Sequence, residues 1–157
     1  MRIRDKVKKP QRPVVAYEIL PPREKDGTLN SYAEIISSLL SQTHIDAINI
    51  PEVLDEIGRG ARPVTNQKRG EPREFGRLLQ DIVGVEAIVN RVVVHEPYDT
   101  QMKWIEETNK EYEIENMIIV GGESSQVEYP GPSVNEILSS ISREFNSNGG
   151  DIFCGGI

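Results

Sequence analysis

Apolar residues recur along this chain in two alternating patterns. Short, nearly continuous runs predict strands at Val14-Val15-Ala16-Tyr17-Glu18-Ile19-Leu20, Ala47-Ile48-Asn49-Ile50, Arg91-Val92-Val93-Val94-His95, Asn116-Met117-Ile118-Ile119-Val120 and Asp151-Ile152-Phe153-Cys154-Gly155-Gly156-Ile157. Between them, helical spacing predicts amphipathic segments with Ala33, Ile36, Leu39 and Leu40 on one face, then Phe75, Leu78, Leu79 and Ile82. Met102, Ile105 and Tyr112 mark a third helix over 100–111, and Val134, Ile137, Leu138 and Ile141 a fourth. Asn30, Asp99 and Ser133 stand where N-caps belong, and Pro72 suits a first helical position. Residues 1–13 are basic and proline-punctuated, which predicts an extended arm leading into a single domain over 14–157.

Strand and helix thus alternate four times before a fifth strand. Strands this apolar belong to a parallel sheet whose faces are covered by helices, an α/β fold. Periodicity leaves an open doubly wound sheet and a closed (β/α) barrel as alternatives. A complete barrel has eight βα units in about 250 residues. The units here are the first four and one more strand.

Polar and titratable groups collect where the strands stop. Pro21-Pro22 has no N–H to give to a sheet ladder, so the first strand stops there, with Glu18 two residues before its C-terminal end. Asn49 precedes Pro51-Glu52, His95 precedes Glu96-Pro97, and the fourth strand runs into Gly121-Gly122-Glu123. Parallel sheets place ligands at this edge. Glu18 among apolar neighbours is costly unless solvated, paired or protonated. It is either a structural carboxylate bonded to a neighbouring strand or an acid held for chemistry. His95 has a structural and a catalytic reading in the same way. Gly121-Gly122 is either a tight connection or a place where a flat ring or phosphate approaches the backbone. The charged, glycine-rich stretch 51–70 is long for a loop, and reads as a solvated excursion, with a helical turn at Val53 to Ile57, or as part of a lid.

Composition narrows the function classes. A net charge of −7 disfavours nonspecific binding to nucleic acid or to an anionic membrane. No apolar run approaches membrane-spanning length, and the basic start is not followed by a signal core. The single cysteine, Cys154, cannot form an internal disulfide, and two histidines make no metal-ligand cluster. A cytoplasmic location is the expectation. Neither a dinucleotide-type glycine fingerprint nor a phosphate-loop lysine motif is present.

The run Ala16-Tyr17-Glu18-Ile19-Leu20-Pro21-Pro22 resembles the opening strand of the methylenetetrahydrofolate reductases, where an aromatic-Glu-aromatic-aromatic-Pro-Pro sequence starts a TIM barrel. Val94-His95 is similar to that family's third strand end, and Ile119-Val120-Gly121-Gly122-Glu123 to its fourth, where Gly121 stands in place of Arg and Glu123 in place of Asp. Cys154-Gly155-Gly156 falls at the start of the fifth. The resemblance covers most of residues 14–157 in order. It implies a flavoenzyme of one-carbon metabolism that reduces methylenetetrahydrofolate to methyltetrahydrofolate, with FAD as cofactor and NAD(P)H or another donor as reductant. On that resemblance Glu18 is the catalytic acid, with burial favouring its protonated form, and Asn49, His95, Gly121, Gly122 and Glu123 contact the cofactor. The family holds much of its flavin with residues from the fifth strand onward, so the expectation is a truncated or split barrel, completed by a second half-barrel chain or a homo-oligomer. A non-catalytic folate- or pterin-binding subunit and a pterin methyltransferase-type barrel are the alternatives.

Overall fold

A computed structural model describes residues 2–53, 68–122 and 128–157. Its centre is a five-stranded sheet in the order β1 (Ala16–Glu18), β2 (Ala47–Ile50), β3 (Glu86–Val92), β4 (Asn116–Val120) and β5 (Phe153–Gly156). Every neighbouring pair is parallel. The helices are α1 (Ile3–Lys8), α2 (Leu29–Leu40), α3 (Pro72–Val83), α4 (Tyr98–Lys110) and α5 (Val134–Ser140). The alternating α/β reading therefore holds, and the strand order follows the chain order.

Register sorts the side chains into two faces, because successive strand residues point to opposite sides. Ile48, Ile50, Ala87, Val89, Arg91, Met117 and Ile119 share one face. Glu18, Asn49, Ile88, Asn90, Val92, Ile118 and Val120 share the other. Helices α2 to α5 lie on the first. On α3, a side-chain carbon at Gly76 would sit 3.1 Å from Ile50 and 3.4 Å from Ala87, so the helix lies close against β2 and β3. Gln101 of α4 accepts from Arg91 Nε at 2.8 Å, and Val134 and Leu138 of α5 press on Gly156. Phe75, Leu79, Ile105, Ile137 and the apolar first-face residues Ile48, Ile50, Ala87, Val89, Met117 and Ile119 form the core, all fully or almost fully buried. Among the described residues nothing comparable covers the second face, the open face.

Four local expectations change. The arm is not extended throughout: Ile3–Lys8 is helical, with Ile3 buried. Its cations meet acids placed where the strands begin. Lys6 Nζ and Arg12 reach Asp46, just before β2, at 2.9 and 2.7 Å; Arg2 reaches Glu115, before β4, at 3.1 Å. Arg2 and Arg4 also pair with Asp151, before β5, and the Ile3 N–H donates to Glu86 at the start of β3. Helix α1 thereby plugs the N-terminal end of the open face, where Ile3 and Val7 line a cavity of about 230 Å³ with Ile88, Ile118 and Phe153.

Strand β1 is exposed rather than buried, because it lies at the sheet edge with an uncovered face. Tyr17 keeps 41% of its surface. Leu39 is 64% exposed, since α2 turns Ala33, Ile36 and Leu40 inward. Caps also shift: Thr28 rather than Asn30 begins α2, accepting from the Ser31 N–H, and Pro97 rather than Asp99 precedes α4. Ser133 does cap α5, in a reciprocal pair with Glu136.

Candidate functional site

Strand β1 ends on Glu18, and register sets it beside Asn49 of β2. Asn49 Nδ2 donates to Glu18 Oε2 at 2.9 Å. The two residues expected at one ligand edge are thus in contact, on the open face. Glu18 is exposed, so the expected burial is not provided by these residues; among the described residues β1 has a strand neighbour on one side.

That hydrogen bond also settles the orientation of the Asn49 amide. A carboxylate accepts only, so Nδ2 faces Glu18 and Oδ1 faces away. Asn49 Oδ1 is buried and receives no hydrogen bond. Asn90, two strands from Glu18 on the same face, is 8% exposed, and its Oδ1 is likewise buried with no donor. Most buried polar atoms in folded proteins are paired, so two orphans on adjacent strands call for an explanation. Asn90 was not singled out from sequence. The signal was there: it is a polar residue inside an apolar strand, as Glu18 is.

His95 lies elsewhere than expected. Strand β3 is Glu86–Val92 and not 91–95, so His95 sits three residues beyond the strand, in a turn. Val93 and Val94 are buried and extend the apolar run past the sheet, whereas Asn90 and Arg91 interrupt it inside the strand. The His95 ring packs edge-on against Tyr129, with centroids 5.4 Å apart. Tyr129 in turn covers Gly122, where a side-chain carbon would stand 2.1 Å from the Tyr129 ring. Gly131 holds this loop down: its N–H donates to Val94 O at 2.8 Å, and a side chain there would strike Glu96 O and Val93 O. At Gly121 the corresponding room is taken by Val134 and the Ile157 carbonyl. Gly122 is therefore explained by the protein's own packing, while at Gly121 only the Val134 side chain would have to give way. Glu123 lies outside the described residues, as do residues 54–67 of the expected lid.

Of the stretch 51–70, Glu52 has a defined task. Its carboxylate accepts from Arg91 Nη1 at 2.7 Å and from the Val92 N–H at 2.8 Å, with both charged side chains nearly buried. Arg91 also pairs with Glu96 and stacks on Trp104, whose ring has Arg73 within 4.8 Å as well. This network fastens the strand end to α3 and α4.

Among the described residues no group of His, Cys, Asp or Glu could hold a metal ion, and no helix is long and apolar enough to cross a membrane. No family model matches the chain, and no curated protein matches it.

Proposed function

We propose that this chain is part of a (β/α) TIM barrel of the methylenetetrahydrofolate reductase type, binding a folate or related pterin on the open face with Glu18 as the proton-handling carboxyl. The observation that carries this is the Glu18–Asn49 pair. It puts an oriented carboxyl on the last residue of a parallel strand, at the edge where such barrels bind ligands. Three further features support it. The strands run in sequential order, helices α2 to α5 share one face, and β1 and β5 each have one free edge among the described residues. A sheet of that kind is completed by further strands that close it. Those strands, from a second half-barrel chain or another copy, would cover Glu18 and lend it the dry surroundings a proton donor needs.

In the proposed chemistry Glu18 donates its proton to a ring-bridging amine of the folate, which opens the methylene bridge to an iminium ion. Asn49 keeps the carboxyl in place through the 2.9 Å hydrogen bond. The described residues do not fit a resident FAD. Tyr129 occupies the space over Gly122, and the Arg91 guanidinium is committed to Glu52 and Glu96. The reading therefore assigns the flavin and its NAD(P)H reductant to surfaces beyond these residues. The same packing of Tyr129 favours a second reading, a folate- or pterin-binding subunit without redox chemistry.

Flavin absorbance in the purified protein, with turnover of methylenetetrahydrofolate, would separate the two. Under the first reading Glu18→Gln lowers the reduction rate on the order of 10²–10⁴-fold and leaves the unfolding midpoint unchanged. A variant that keeps its rate would remove Glu18 from the chemistry.

A further inference from the structure

We infer that Asn90, together with Asn49, forms a recognition site for a planar ligand that presents two N–H donors along one edge, such as an amino-substituted heteroaromatic ring. This deepens the folate reading and rests on its placing of the ligand beside Glu18. The two amide oxygens belong to adjacent strands and point to the same face. Neither receives a hydrogen bond, and Asn90 is more than nine-tenths buried. With Glu18 ionised, Asn49 keeps its oxygen turned away, because its Nδ2 donates to the carboxylate. The site therefore offers two unpaired amide oxygens as acceptors. An acceptor-lined site selects donors, and a ligand lacking them leaves the buried oxygens unpaired.

An asparagine retained for folding would have its oxygen satisfied. One retained for a ligand is a liability in the free protein. Replacing Asn90 by leucine, close in size and apolar, is therefore expected to leave the free protein as stable as before or more so, while weakening binding.

The experiment titrates the protein with diaminopyrimidine, an aromatic ring with two exocyclic amino groups, and with dimethoxypyrimidine, the same ring without N–H donors. The side-chain amide NMR signals of Asn49 and Asn90 follow each titration. Diaminopyrimidine is expected to bind at least about tenfold more tightly than the dimethoxy ring and to shift both signals. In Asn90→Leu that preference is expected to fall by about tenfold, the loss of roughly one hydrogen-bonded contact. Equal affinity for the two rings, no binding of either, or an unchanged preference in Asn90→Leu would overturn the inference. So would a clear drop in the variant's unfolding midpoint. The selective binding of diaminopyrimidine by a protein that never takes up flavin would uphold this site and defeat the redox reading. A flavoprotein with no preference between the rings would do the reverse.

Discussion

Phe75→Ala is expected to cost about 3–5 kcal/mol of unfolding free energy. The total for a domain this size is roughly 5–15 kcal/mol, so the variant would sit near the limit of folding. Phe75 is fully buried on α3, and its ring faces that of Tyr32 on α2 with centroids 6.0 Å apart. It is one of the few large groups that join the two helices, while α3 also lies against β2 and β3. Truncation leaves a hole between two helices and a sheet, and close-packed surroundings relax into such holes only in part. Urea unfolding measures the effect, with the midpoint falling and the slope kept. A loss below about 1 kcal/mol, smaller than any ordinary aromatic-to-alanine cavity, would mean that the α2–α3 packing described above is wrong.

The second large effect concerns the plug. Asp46 has a completely buried side chain that accepts from Arg12, from the Val15 N–H and from Lys6. Chiefly the Arg12 guanidinium, then the Val15 N–H and the Lys6 ammonium, hold its carboxyl far below the usual carboxylate range. A carboxyl depressed by folding contributes in full above its unfolded value, about 4. It loses that contribution as pH falls further, toward the folded value. The wild-type protein is thus expected to lose stability below about pH 4 in part through this residue. In Asp46→Asn the charge is absent at every pH. The variant is expected to be less stable at neutral pH and to show a shallower acid decline. It should also release α1, read as faster tryptic cleavage at Lys6 and Lys8. A variant with the wild-type acid profile and the wild-type cleavage rate would show that Asp46 does not fasten the plug.

The central sheet was legible because its inner strands are apolar on both sides. The bounds of β2 and β4 match the runs Ala47-Ile48-Asn49-Ile50 and Asn116-Met117-Ile118-Ile119-Val120. Strand β3 was displaced because its polar pair, Asn90 and Arg91, interrupts the run, and the apolar residues after it lie beneath a loop instead. The Ser133 cap was legible because Glu136 stands three residues on, whereas caps without that reciprocal partner were misplaced by two residues or fell on Pro97. Helix α1 was not legible at all. Six residues do not hold a helix unaided, and this one depends on acids that lie 40 to 149 positions away in the chain.

By itself, then, the order of residues determined the alternation of strands and helices, the parallel character of the sheet, and the place of Glu18 and Asn49 near strand ends. Those follow from apolar periodicity and from prolines that stop strands, which are local properties. Only the tertiary structure decided that β1 is an exposed edge, that α1 closes one end of the open face, that Tyr129 and not a ligand lies over Gly122, and that the Asn49 and Asn90 oxygens are buried without a donor. Each of these depends on which distant groups come to lie against which, and distance along the chain carries no record of that.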